Sequence, residues 1–133
     1  MRSADRSDGA ALWDRQVLTG GLVLVVGIAL VFLRTRDFAF LNFDDYSFIS
    51  QNPNVATGLT WDNMVWAWQT GYFSAWLPLT WLSHMVDVSL FGLNPAGHHL
   101  MSVTLHTVVS LAFFLVLIRL TGNTGAAFVA AGI

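Results

Sequence analysis

An uncharged run of 17 residues, 17–33, constrains this chain more than any other feature. At ~1.5 Å per residue, a helix of this length covers about 25 Å, near the lower limit for crossing the bilayer core. The run is longer than the apolar part of a usual signal peptide. It is followed by Arg34 and Arg36 rather than by a small-residue cleavage pattern. We therefore predict a transmembrane helix over residues 17–33, with residues 1–16 as a disordered or membrane-associated cytoplasmic segment.

A second apolar run predicts another transmembrane helix over residues 98–120. Ser102, His106 and Ser110 recur every four residues in it, so one stripe of this helix is polar. A polar stripe faces protein rather than lipid, which predicts partner transmembrane helices from the same or another chain. Residues 121–133 contain a turn and an eight-residue apolar run, too short to span a bilayer. We interpret them as the truncated start of a third span.

The composition fits this class of protein, because 55% of residues are hydrophobic and only 11% are charged. The six arginines form no basic run and lysine is absent, which excludes a nucleic-acid partner. With no cysteine, the chain has neither a disulfide nor a thiol nucleophile. Three arginines before residue 17 and Arg119 would share one side of the membrane, against Arg34 and Arg36 on the other. The distribution predicts an integral membrane protein with its N-terminus in the cytoplasm.

Residues 34–97 are then an extracytoplasmic loop, too long for a simple connection. Residues 51–54 carry a turn signal. Thr60 can cap a helix whose apolar positions form one face suited to the headgroup layer. These positions are Trp61, Met64, Val65, Trp68 and Tyr72. Pro78 starts a further helix, which Gly92 ends and on which His84 and Asp87 share a face. The predicted fold class is an all-α membrane protein with a long helical extracytoplasmic loop.

Two adjacent carboxylates, Asp44 and Asp45, lie near the start of this loop. A hydroxyl is a poor nucleophile at neutral pH, and a positioned carboxylate that accepts its proton is the simplest general base. The neighbouring charge raises the proton affinity of that base. If the segment is extended, only one of the two side chains can point at a given reacting atom. The alternative is that the pair caps a helix or keeps the loop solvated.

An ordered series of motifs resembles the N-terminal part of one family. The motifs are Phe43-Asp44-Asp45, Asn52-Pro53-Asn54-Val55, Gly58-Leu59-Thr60-Trp61, Pro78-Leu-Thr-Trp-Leu-Ser-His-Met85 and Leu90-Phe-Gly-Leu-Asn-Pro-Ala-Gly-His-His-Leu100. They resemble the bacterial GT-C glycosyltransferases fused to tetratricopeptide repeats, related to the transmembrane-and-TPR protein O-mannosyltransferases. In place of the His or Arg that this family usually carries before Pro78, the chain has Leu77.

The resemblance implies transfer of a sugar from a polyprenyl-phosphate donor to a hydroxyl, such as a protein Ser or Thr, outside the cytoplasmic membrane. It implies Asp44 as the base and Asp45 as an orienting or substrate-binding residue. We expect Trp76, His84 and His99 to contact substrate, with a membrane-interface anchor as the alternative for Trp76 and an interhelical hydrogen bond as the alternative for His99. The fragment alone is expected to be inactive.

The histidines allow a further interpretation. His84, His98, His99 and His106 could combine with Asp87 as ligands for Zn or Mn. However, no HxxxH or HxH cluster supplies a preorganised ligand set, so the sequence predicts no metal site and no cofactor besides the lipid-linked sugar. The competing function is a non-catalytic membrane module that binds lipid or partner helices.

Overall fold

The computed structural model describes the backbone of residues 2–133 and the side chains of residues 13–133. Six α-helices follow one another, and the described residues contain no strand, as the sequence predicted. The helices are α1 (Arg2–Phe32), α2 (Pro53–Ala56), α3 (Trp61–Gln69), α4 (Pro78–Phe91), α5 (Pro95–Thr121) and α6 (Thr124–Ala131). Shorter helical segments are two 3₁₀ turns, Leu33–Asp37 and Tyr72–Ser74, and a π-helical turn, Tyr46–Ser50.

The chain forms two compact units. One comprises Met1–Leu33 and Val103–Ile133, and the other comprises Arg34–Ser102. In the first unit, α1, α5 and α6 share a small apolar core of Leu24, Phe114, Ile118 and Ala127. The second unit has its own core and carries every residue of the predicted site.

Two helical stretches are long and apolar enough to cross a membrane, Trp13–Asp37 and Pro95–Thr121. Only 11% and 17% of their most apolar windows are buried inside the protein. The core helix of a soluble protein would bury most of such a window, so these exposed apolar faces favour insertion in lipid. The prediction of two helices able to span a membrane is confirmed. Both helices extend beyond the predicted spans: α1 begins at Arg2, and α5 begins at Pro95.

All three prolines of the chain occupy the first position of a helix, namely Pro53 of α2, Pro78 of α4 and Pro95 of α5. Proline suits this position because its missing N–H would be unpaired there in any case and its φ is already helical. The predicted start of α4 at Pro78 and its end at Gly92, with φ of 62°, are both observed. The predicted turn at residues 51–54 is instead the start of α2, where the Asn52 side chain accepts a hydrogen bond from the Asn54 N–H at 3.1 Å.

Trp81 of α4 is the centre of the second core and is fully buried. Its indole stacks on Phe48, with ring centroids 4.7 Å apart, and meets the rings of Trp66 and Tyr72 edge-on. Ile49, Val55, Ala67, Met85 and Val88 complete this core. Trp81 therefore joins α4 to the π-helical turn and to α3.

Helix α3 begins as predicted, since the Thr60 hydroxyl accepts a hydrogen bond from the Asn63 N–H at 3.2 Å. The predicted continuation of this helix to Tyr72 is wrong. The helix ends at Gln69 because Thr70 is extended, and Tyr72 belongs to the following 3₁₀ turn. Trp61 and Trp68 are exposed, so much of the apolar face predicted for this helix points away from the core.

Asn63 connects the start of α3 to the preceding loop through side-chain hydrogen bonds. Its amide donates hydrogen bonds to the Gly58 carbonyl at 2.7 Å and to the Thr57 hydroxyl at 2.9 Å, and the side chain is buried. Removing this donor would leave a buried carbonyl without its hydrogen bond, which costs more than losing an exposed one.

Asn63→Ala is therefore expected to lower the free energy of unfolding by about 1–3 kcal/mol. Thermal unfolding of the detergent-purified protein measures the change. The control, Gln69→Ala, alters an exposed side chain of the same helix and is expected to change stability by no more than ~0.5 kcal/mol. Equal unfolding midpoints for the two variants would contradict this role of Asn63.

Candidate functional site

The acidic pair lies in a helical turn that runs directly into the π-helical turn Tyr46–Ser50. The extended conformation considered for this segment is therefore wrong. The turn is closed by the Asp45 carboxylate, whose Oδ2 accepts a hydrogen bond from the Leu41 N–H at 2.8 Å. Asp44 is exposed, whereas Asp45 is half-buried. The two carboxylates thus have different environments, and only Asp45 stabilises the turn through a hydrogen bond.

Aromatic residues on either side of the pair contact histidines of the later motifs. Phe40 meets the rings of His98 and His99 edge-on, with centroids 5.3 and 6.3 Å apart. Phe48 meets the ring of His84 edge-on at 6.4 Å while it stacks on the buried Trp81. The residues of three distant motifs, around positions 40–48, 78–85 and 90–100, therefore meet in one unit.

The structure brings together His84, Asp87 and His98. One ring nitrogen of each histidine and one carboxylate oxygen all lie within 4.8 Å of one another. Asp87 and His98 are buried, and His84 is half-buried. The predicted common face of His84 and Asp87 on α4 is observed. The third member, His98, comes from α5, and its Nδ1 lies 3.8 Å from Asp87 Oδ2.

Burial shifts the proton affinities of this cluster. Desolvation lowers the pKa of His84, and the nearby His98 lowers it further, while the charge of Asp45 opposes the shift. Desolvation raises the pKa of the Asp87 carboxyl, and His98 partly opposes this. Burial thus favours the neutral forms of the His84 ring and the Asp87 carboxyl.

Of the two other residues predicted to contact substrate, His99 lies near the histidine cluster and Trp76 does not. His99 lies beside Phe40 and is half-buried, and its Nε2 has no hydrogen-bond partner among the described residues. Trp76 lies elsewhere on the same unit: its indole N–H donates to the Trp68 carbonyl at 2.9 Å. Trp76 is 62% exposed and lines a groove of about 300 Å³ together with Trp68 and residues 77–80. Among the described residues, no hydrogen bond or ring contact joins Trp76 to the histidine cluster.

Gly97 determines how closely α4 and α5 approach beside this cluster, and sequence reasoning missed it. A Cβ at Gly97 would overlap the Cβ and Cγ atoms of Phe91. The same sharp turn brings His98 back onto α4, where its ring hydrogen-bonds the Gly92 carbonyl at 2.9 Å. The signal in the sequence was the spacing of Gly92, Pro95 and Gly97, because a positive φ, a helix start and a small residue together make a tight helical corner.

No family model, curated protein or solved structure matches the chain.

Gly97→Ala is expected to destabilise the second unit by about 1–3 kcal/mol, because the overlapped Phe91 atoms are those nearest the backbone and cannot swing away. Gly71→Ala is the matched control, since Gly71 has a negative φ and open space around its Cβ position. Thermal unfolding of both variants checks the prediction, and equal midpoints would show that the helical corner tolerates a side chain.

Proposed function

We propose that this chain forms the N-terminal part of a membrane glycosyltransferase of the GT-C type. In this proposal a sugar moves from a polyprenyl-phosphate donor to a hydroxyl acceptor, such as a protein Ser or Thr, on the extracytoplasmic side of the membrane. The observation that carries the proposal is the meeting of the separate motif segments in one unit. Phe40 and Phe48 flank Asp44 and Asp45 and contact the histidines of the later motifs.

The environments of the two carboxylates support different roles. Asp44 is exposed and has no hydrogen bond or ion pair to another described residue, so its oxygens are available to a hydroxyl acceptor. The Asp45 carboxylate holds the turn through the Leu41 N–H, and its charge acts on His84. Asp44 accepts the proton of the acceptor hydroxyl as the new C–O bond forms, and the lipid phosphate leaves from the sugar carbon. Asp45 orients the turn that presents Asp44.

Asp44→Asn in the full-length gene product is expected to lower glycosyl transfer by about 10²–10⁴-fold, the range that a positioned general base contributes. Transfer of radiolabelled sugar from a panel of polyprenyl-phosphate hexoses to membrane protein acceptors is the measurement. Asp62→Asn, which alters another exposed carboxylate in the same unit, serves as the control and should retain activity. Undiminished transfer by a normally inserted Asp44→Asn protein would contradict the assignment of the base.

The proposed location is the cytoplasmic membrane of a bacterium, with the N-terminus inside and the unit Arg34–Ser102 outside. The arginine distribution and the two apolar helices support it. The chain is free of cysteine, so single cysteines report the sidedness of any chosen position without background.

Gln69→Cys is expected to react with a membrane-impermeant maleimide in intact cells, because Gln69 is exposed on the unit proposed to lie outside. Gly125→Cys, exposed at the start of α6, is expected to react only after permeabilisation. The reverse pattern would overturn the orientation.

The alternative function is a non-catalytic module that binds lipid or partner helices. One observation favours it: a groove of about 660 Å³ in the first unit, lined by α1 and α6 through residues such as Thr19, Val23 and Phe128. The non-catalytic alternative would be favoured if the protein binds partner helices but transfers sugar from none of the hexose donors.

A further inference from the structure

We propose that His84, Asp87 and His98 form a binding site for one divalent transition-metal cation of the Zn²⁺ or Mn²⁺ class. The proposal goes beyond glycosyl transfer, since it stands on the geometry of these three side chains alone. It also revises the expectation from the sequence, where their spacing matches no familiar ligand motif.

His98 is oriented as a metal-binding histidine is. Its Nε2 lies 2.9 Å from the Gly92 carbonyl, which can only accept, so Nε2 carries the hydrogen and a neutral ring keeps its lone pair on Nδ1. Histidine ligands commonly donate their other ring N–H to a backbone carbonyl in this way, which fixes the ring. The lone pair of His98 is therefore presented by a rigid ring.

The Nδ1 atom of His98 has no hydrogen-bond partner among the described residues, although His98 is only 4% exposed. It faces Asp87 Oδ2 at 3.8 Å, too far for a hydrogen bond, and Asp87 is 5% exposed. The Nδ1 of His84 is likewise buried without a partner. Buried polar atoms are normally paired, so an unpaired nitrogen on each of these two histidines needs an explanation.

A structural ion pair explains the cluster less well than a cation does. A charged His98 would carry a hydrogen on Nδ1 as well, and at 3.8 Å from Asp87 Oδ2 this buried N–H would have no hydrogen bond. The ion pair would also leave His84 unexplained. A divalent cation would use the lone pairs of both rings and compensate the buried carboxylate charge.

The distances suit a site that tightens when the ion enters. Donor atoms bound tetrahedrally at about 2.0–2.1 Å lie roughly 3.4 Å from one another, and the three donors here lie within 4.8 Å. His84 is half-buried, so one side of the cluster is nearer to solvent than the buried Asp87 and His98 are. Two imidazoles and one carboxylate favour Zn²⁺ or Mn²⁺ over Ca²⁺ or Mg²⁺, which prefer oxygen ligands.

The test uses the full-length gene product, purified through a histidine-free tag, stripped with EDTA and titrated with ZnCl₂ and MnCl₂ by calorimetry. We expect saturable binding at this site, and at least 100-fold weaker binding for Asp87→Asn and for His98→Gln. His106→Ala, which removes an exposed histidine of the same helix, should bind as the wild type does. Unchanged affinity in both ligand variants would overturn the proposal, as would the absence of binding to the wild type.

Unfolding scans in EDTA separate loss of a ligand from loss of the fold. The Asp87→Asn protein should unfold near the wild-type temperature in EDTA but gain no stability from zinc. If that variant unfolds well below the wild-type temperature, X-ray absorption spectroscopy of the zinc-loaded wild type identifies the metal ligands instead. Two imidazoles and oxygen donors around the bound metal support the site, and any other ligand set refutes it.

Discussion

The stacking of Phe48 on Trp81 is the interaction on which the rest of the second unit depends. Trp81 is fully buried in α4, and Phe48 ends the segment that carries the acidic pair, so this contact ties a short, polar turn to the core. Burying aromatic rings of this size contributes several kcal/mol, more than the single hydrogen bond that closes the turn. The position of Asp44 is thus determined mainly by an aromatic residue four positions away.

The ends of helices in this unit could be predicted where a single residue determines the backbone conformation. Pro78 and Gly92 bound α4 as expected because each restricts or permits a particular φ. The end of α3 could not be predicted from periodicity, since Tyr72 continues the apolar pattern while its ring packs on Trp81 from a separate 3₁₀ turn. The spacing of apolar side chains indicates which residues pack together, but it does not indicate at which residue the helix ends.

The candidate site was predictable only in part, because most of it comes from contacts between distant residues. The shared face of His84 and Asp87 follows from their spacing of three on one helix. The position of His98 beside them cannot be read from sequence spacing. It depends on the corner between α4 and α5, where Gly97 lies against Phe91 and the Gly92 carbonyl fixes the histidine ring. No motif search based on spacing within one helix could have found this third donor.

The acidic pair and the histidine cluster are linked through Asp45. Its carboxylate closes the turn at Leu41 and its charge acts on His84, so the conformation of the turn and the charge state of the cluster influence each other. A cation in the cluster would attract the Asp45 carboxylate, which closes the turn that carries Asp44. With both sites as proposed, the metal ion would help to position Asp44 through Asp45.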